Sequence, residues 1–499
     1  MELQFYKTTH PCLQQVKREI QNQEQTQELR LSDGMPEIGS VLGAWGQVLL
    51  RSKEWRNGEM HVSGGVMVWV LYKPEDGLQI QCVDTWIPFQ MKWDLPETER
   101  DGIIHANGLL RCVDARSTSS RKLMVRVCVG VLGQASISAE VENYLIEDIP
   151  EDVQLLKHTY PLCLPREAGE KLFTLEETLS LPPNAPVMEK LLYYTLQAEI
   201  LDRKVMGGKV VFRGNANFHI VYISSDAQVY NWDFDIPFSQ YSDLDRDYDP
   251  DATVSVSPAV TAMEVEVDPE GKLRLKSGIT AQYMISSCTM VDVVEDAYST
   301  KRQMQLKFAK EHLPVILEEN IRLIPAEFTL QAQANRVADV AFYFDHPQLQ
   351  RDDNAVNVQM PAQFQVLYYD ENCMLQSTLS RWTGTYDIQL DDKTALTADI
   401  LPAGKAHALM TGSGVELQGD INLQTLATTK QPLTMVCALE LGEEKHADPD
   451  RPSLILRKAG KDSLWQIAKK TGSTVASICA ANNLDDEPFP GQMLLIPIS

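Results

Sequence analysis

The sequence has no long hydrophobic run and few of the marks of an enzyme. No window approaches the roughly 18–20 consecutive apolar residues that cross a bilayer as a helix, and the richest apolar stretch, Leu123 to Leu132, is broken by Arg126. The N-terminal MELQFYKTTHPCLQQVKREI holds no apolar core of about 7–15 residues behind a basic start, so no secretory signal is expected. Positive charge is scarce: 45 Lys and Arg stand against 69 Asp and Glu, a net charge of −24. Nucleic acid is held by neutralising phosphates with Lys and Arg, so this balance argues against a nucleic-acid partner and against direct insertion into an anionic membrane. Cysteine is sparse, with nine residues at 12, 82, 112, 128, 163, 288, 373, 437 and 479 and no CxxC. An odd, scattered set reads as reduced thiols of a cytosolic protein, and neither a disulfide framework nor a zinc site is expected.

Catalytic signatures are missing as well. Gly404-Lys405 has neither the upstream glycine nor the following Ser/Thr of a phosphate-binding loop, and no HExxH or Gly-x-Ser-x-Gly occurs. Asp243, Asp245, Asp247 and Asp249 alternate without the glycine and glutamate of a calcium loop, and read as a solvated acidic loop. His219 falls on the strand face opposite Phe218 and Ile220, which predicts a surface role. The expectation is a protein without catalytic residues, metal or cofactor.

What the sequence does contain is repetition. At 499 residues it exceeds one core, and roughly 100–200 residues per domain predicts several. Leu29, Leu31 and Pro36 recur as Leu179, Leu181 and Pro186, and Gly64, Val68, Val70 and Tyr72 as Gly214, Phe218, Ile220 and Tyr222, all displaced by 150 residues. Ile87-Pro88-Phe89 returns as Ile236-Pro237-Phe238. A third, worn copy is read from Leu317–Leu323 set against Leu175–Leu181, and from Phe364, Val366 and Tyr368; it lacks the glycine and the Ile-Pro-Phe. Apolar residues at 66, 68, 70 and 72, and at 216, 218, 220 and 222, have the period of a half-buried strand. Proline in Ile-Pro-Phe suits an edge strand. Val187 to Ile200 is open between helix and strand. Each unit is expected to be a β-rich sandwich or barrel-like module.

Val-Val-Phe-Arg-Gly-Asn-Ala-Asn-Phe-His-Ile-Val-Tyr at 210–222, with Asp233-Phe234-Asp235-Ile236-Pro237-Phe238, resembles the SPOCS domain of endospore-forming Firmicutes. The first copy resembles it too, and the third does so in its strand pattern. After an acidic stretch from Gly442 to Pro452 the character changes: residues 1–452 hold 40 basic and 65 acidic side chains, residues 453–499 hold 5 and 4. There Leu454-Ile455-Leu456-Arg457 reads as a strand, and Asp462 or Ser463 as the cap of a helix carrying Leu464, Ile467 and Ala468. Gly472 stops that helix, a second begins at Ser473 or Thr474, and Met493 to Ile496 returns as a strand. This β-α-α-β series resembles a LysM module. The divisions expected are 1–160, 161–314 and 315–445 for three SPOCS-like repeats, 446–452 for a linker and 453–499 for LysM.

The LysM resemblance implies a groove between two loops, with Gly460, Asp462, Ser463, Leu464 and Trp465 on one side and Asn483, Leu484 and Pro488 on the other. Trp465 is either a contact residue or a core residue, and Leu464 is expected in the core. SPOCS units before a LysM resemble the architecture of clostridial spore-coat morphogenesis proteins. That implies a mother-cell cytoplasmic protein at the forespore outer surface, its LysM docked on the coat basement-layer ATPase (stage IV sporulation protein A) and its repeats self-associating. The alternative is binding of N-acetylglucosamine-containing peptidoglycan.

Overall fold

A computed structural model of the chain describes residues 2–3, 5–77, 79–96, 102–411, 414–445 and 452–498. It is built almost wholly of antiparallel strands, as expected. A short β1 (Glu2–Leu3) precedes a first unit of β2 (Phe5–Arg30), β3 (Ile38–Arg56), β4 (Glu59–Pro74), β5 (Gln81–Asp94), β6 (Ile103–Ser119) and β7 (Lys122–Ile146). The second unit is β8 (Val153–Leu179), β9 (Met188–Val205), β10 (Gly207–Ser224), β11 (Val229–Tyr248), β12 (Thr253–Val267) and β13 (Leu273–Ser299). The third is β14 (Arg302–Leu330), β15 (Ala334–Phe344), β16 (Gln348–Asp352), β17 (Ala355–Asp370), β18 (Leu375–Gln389), β19 (Ala395–Thr411) and β20 (Gly414–Glu444). Last come β21 (Leu454–Lys458), α1 (Leu464–Thr471), α2 (Val475–Asn482) and β22 (Met493–Pro497).

Each unit has one plan. A meander (β3-β4-β5, β9-β10-β11, β15-β17-β18) packs on a second sheet in which the first and last long strands pair and the penultimate strand adds outside (β2-β7-β6, β8-β13-β12, β14-β20-β19). The alternation seen in the sequence fills the space between the two layers. Val66, Val68, Val70 and Tyr72 are buried against Val125, Val127, Val129 and Val131 in the first unit. Val187 to Ile200 falls largely in β9, where tertiary packing overrides its helix formers. The free ends of the long hairpins pack together: Val153, Val294, Val436 and Leu439 share one core with Ile146, so all three units contribute. Because each unit opens on a long strand, the divisions expected at 160/161 and 314/315 fall inside β8 and β14. Of the expected linker, residues 446–451 lie outside the described residues.

The repeated glycine and Ile-Pro-Phe have one physical reason. Gly64 stands opposite Phe89, and Gly214 opposite Phe238, in the ladders to the edge strands. A Cβ on Gly64 would lie 2.3 Å from the Leu49 carbonyl and 2.8 Å from the Phe89 ring; on Gly214, 1.9 Å from the Glu199 carbonyl and 2.7 Å from Phe238. The ring covers the glycine, and the proline tolerates the edge. In the third unit the pair is exchanged: the equivalent ladder partners are Met360, fully buried, and Gly384. Large and small have swapped strands, which is why the motif vanishes from the sequence there.

Four expectations change. The matching of Leu317–Leu323 to Leu175–Leu181 is out of register, because Leu179 pairs with Leu273 at the hairpin end and its counterpart Leu330 pairs with Val415. Nine residues separate the two alignments (330 against 321), and a shorter loop before β15 hides the true one. Cys163 and Cys288 stand opposite each other in the β8–β13 ladder and form a disulfide, leaving seven free cysteines. Asp243, Asp245 and Asp247 belong to β11 rather than to a loop. His219 is not on an open strand face: it is half-buried beside Asp339 of the third unit and lines a cavity between the units.

Candidate functional site

In the C-terminal module Ser463 starts α1 with a reciprocal cap: its hydroxyl accepts from the Gln466 N–H while the Gln466 side chain accepts from the Ser463 N–H. Gly472, at φ 69°, ends it in the left-handed conformation that a residue without Cβ adopts freely. Thr474 caps α2, and Asn483 (φ 51°) closes it. The buried side of these helices, Leu464, Ile467, Ala468 and Ile478, packs on Leu494 and Ile496 of β22. Leu464 is thus core, as expected.

The two expected groove loops do meet, through one contact. The Leu464 N–H, an unpaired donor of the first helical turn, donates to Glu487 Oε2 at 2.8 Å and Oε1 at 3.2 Å. Asp462 bonds Lys470 Nζ at 2.9 Å and Arg457 Nη2 at 2.7 Å, and the lysine, then the arginine, holds its carboxyl below the ordinary carboxylate range. Gly460 is exposed with open space beside it, Leu484 is half-buried against the small core, and Pro488 is half-buried.

Trp465 is turned away from this groove. Its indole N–H donates to Asp296 Oδ2 of β13 at 2.8 Å, and its ring meets Tyr298 edge-on at 4.8 Å. Lys469 Nζ reaches both Asp296 oxygens at 2.7 Å, and the buried Tyr298 hydroxyl donates to the Ser473 carbonyl at 2.8 Å. Burial, then the Asp296 charge, pushes the Tyr298 phenol up to about 12. Tyr298 sits within the module's own apolar cluster. A residue of the second unit therefore completes the LysM core, a contact that no local pattern in the sequence announces.

The outer face of the β21–β22 sheet is bare. Leu456 stands opposite Leu495, flanked by Leu454 and Met493 on the same face, and these are 62%, 38%, 50% and 51% exposed. Phe489, 68% exposed, adds to the module's exposed apolar surface. The signal for this face was present in the sequence. Leu454-Ile455-Leu456 and Met493-Leu494-Leu495-Ile496 are apolar on both faces of their strands, more than a single small core can absorb.

A second polar site lies between the units. Asp339 of β15 is wholly buried, accepts from the Tyr193 hydroxyl and from Asn231 Nδ2 at 3.1 Å, and forms an ion pair with His219, whose Nε2 lies 2.9 Å away. The other imidazole nitrogen lies 2.7 Å from Asp233. Burial alone would lower the His219 pKa; Asp339 and Asp233 outweigh it and raise it to about 10, so the ring is charged at neutral pH. Burial works against the Asp339 carboxylate in the same way, but His219 and the surrounding donors keep its pKa low. This cluster borders a cavity of about 330 Å³ lined by all three units.

A family model described as SipL, SPOCS domain matches residues 188–268, and the LysM domain model matches residues 461–497. The first match runs from the start of β9 to the end of β12; the second takes in the groove residues other than Gly460, with α1, α2 and β22. No curated protein and no solved structure matches the chain. The chain thus carries a SPOCS domain within its second unit and a LysM domain at its C-terminal end. These domains, non-catalytic in kind, fit a sporulation-related protein with a module of the peptidoglycan-binding type. No helix among the described residues is long and apolar enough to cross a membrane.

Proposed function

We propose that this chain is a non-enzymatic scaffold of the spore envelope, made of three SPOCS-like units, whose LysM module holds a protein. The partner is the coat basement-layer ATPase (stage IV sporulation protein A), met at the outer forespore surface on the mother-cell side. The observation that carries this reading is the exposed sheet face of Leu454, Leu456, Met493 and Leu495. A contiguous apolar patch on a small soluble module marks a protein contact, whereas a glycan groove needs donors and acceptors free to pair. Here the facing donor, the Leu464 N–H, is already taken by Glu487.

Full-length chain carrying Leu456→Glu and Leu495→Glu should lose co-purification with the ATPase while keeping its circular dichroism spectrum. Undiminished co-purification would sink this reading. The peptidoglycan alternative rests on the meeting of the two loops at Leu464 and Glu487. It predicts that wild-type chain sediments with purified peptidoglycan, and that Glu487→Ala, by freeing the Leu464 N–H, strengthens that binding.

A further inference from the structure

Among the described residues two pairs of cysteines stand directly opposite each other in the strand ladders, and one pair is bonded. Cys163 and Cys288 face each other across β8 and β13 and form the disulfide. Cys112 and Cys128 face each other in the same way across β6 and β7 of the first unit, and both are free. Opposed residues of an antiparallel ladder share one face, with Cα atoms about 4.5–5.5 Å apart. A disulfide spans a Cα separation of about 4.4–6.8 Å, so a bond can close here without rebuilding the strands. The remaining thiols have no such partner. Cys12 faces Ala139 and Cys82 faces Leu71, Cys437 falls in a bulge of β20, Cys373 lies in the turn before β18, and Cys479 is in α2.

The pair is open to a small reagent. Val113, Val125, Val127 and Val129 of the same two strands are buried between the sheets, whereas Cys112 and Cys128 point the other way and are each half-buried. On that outer face Arg126 pairs with Asp114 at 2.7 Å and with Glu24 of β2 at 3.7 Å, all three about half exposed. The Cys128 thiol donates to Glu24 Oε2 at 3.6 Å. Burial first, then the Cys112 thiol beside it, push the Cys128 pKa up to about 12, so this thiol holds its proton at neutral pH.

We propose that Cys112 and Cys128 form a dithiol site that closes to a cross-strand disulfide when it meets a low-molecular-weight disulfide. Cys112 attacks one sulfur of the reagent, giving a mixed disulfide and a first released thiol that takes the Cys112 proton. Cys128, its proton passing to Glu24, then attacks Cys112 Sγ and expels the second thiol, which takes that proton in turn. In balance, two protein thiols are oxidised to one disulfide and one reagent disulfide is reduced to two thiols.

The test uses full-length protein with its free thiols reduced. It is incubated folded with bis(2-hydroxyethyl) disulfide, blocked with N-ethylmaleimide in denaturant and read by non-reducing peptide mass spectrometry. The Cys112 and Cys128 peptides should appear joined, two hydrogens lighter and without added mercaptoethanol, in a fraction that titrates with the ratio of disulfide to thiol. Cys373, exposed and without a partner thiol, should carry only the mercaptoethanol adduct. Cys128→Ser should stop at the mixed disulfide on Cys112, and Cys112→Ser should leave Cys128 unmodified. Wild-type chain that keeps mercaptoethanol on either cysteine with no internal bond would overturn the proposal. So would joining seen only after circular dichroism shows the fold lost, since the ladder would then have had no part in it.

Discussion

Removing Tyr298 should release the LysM module from the body of the protein. The side chain is 5% exposed, lies among the module's core residues, meets Trp465 edge-on and donates to the Ser473 carbonyl. Tyr298→Phe keeps the ring and removes one hydrogen bond, leaving a buried carbonyl without its donor; about 1 kcal/mol is expected. Tyr298→Ala removes the ring as well and leaves a cavity, for which large aromatic truncations cost about 3–5 kcal/mol. At 1.4 kcal/mol per factor of ten, opening should rise about fivefold in the first variant and several hundredfold in the second. The assay is amide hydrogen exchange in the full-length chain, followed at α1 and at the end of β13. Loss of protection at both segments together, with the rest of β13 unchanged, is the expected pattern. If Tyr298→Ala leaves both segments protected within a factor of two, the module does not depend on the second unit and the docking argument fails.

Gly214→Ala should lower stability by about 3 kcal/mol in urea unfolding, because its Cβ would meet a backbone carbonyl at 1.9 Å that cannot swing aside; a change under 1 kcal/mol would refute the close approach. Asp152 is held down to about 2 by Arg302, whose guanidinium bonds it, with Ser299 adding a further hydrogen bond. A depressed carboxyl stabilises above its unfolded pKa near 3.8 and loses that contribution as pH falls towards 2. Asp152→Asn should therefore cost about 1 kcal/mol at pH 6, after screening, and nothing near pH 2, measured by chemical denaturation at each pH. His219 has the opposite sign: its raised pKa stabilises the fold below about 6.5, and the contribution fades as pH climbs towards 10. An NMR titration should find the ring protonated at pH 8, and Asp233→Asn should move its midpoint down by at least about one unit; a wild-type midpoint near 6.5 would refute the cluster.

The layers of the fold were legible because burial on one face imposes a period of two, and that period survives in Val66 to Tyr72 and in Ala216 to Tyr222. The LysM module was legible for a different reason: its caps, Ser463, Gly472 and Asn483, are local chemistry. What escaped depends on assembly. Asp339 reads as an ordinary polar residue in a strand until the third unit lays it against Tyr193 and His219. Cys163 and Cys288 are 125 residues apart in sequence and adjacent only through the β8–β13 ladder. In the third unit an apparent seven-residue match outweighed the weaker, correct register, because the Met360–Gly384 exchange had erased the motif that would have fixed it. Of the expected groove residues, Trp465 is the one the structure moves: it belongs to the contact with β13.

Three copies of one plan do not form three equal junctions, because equivalent positions carry different side chains. Gly43, Tyr193 and Asp339 each follow a one-residue bulge, at Leu42, Leu192 and Ala338, and pair with Leu71, Val221 and Leu367. The backbone thus delivers one position three times, and the side chain there decides what each junction does. At Gly43 an added Cβ would lie 2.8 Å from the Gln365 amide, so the first unit approaches the third closely. Tyr193 stacks on Trp45 of the first unit at 4.9 Å and spends its hydroxyl on Asp339 of the third. A buried carboxylate left without such partners would cost several kcal/mol. The third unit can therefore bury Asp339 only against a neighbour that brings Tyr193, Asn231 and His219. The first unit has Gly43, Cys82 and Trp69 at those places and could not substitute for the second. Divergence at equivalent bulges is what gives the units a fixed order around the cavity.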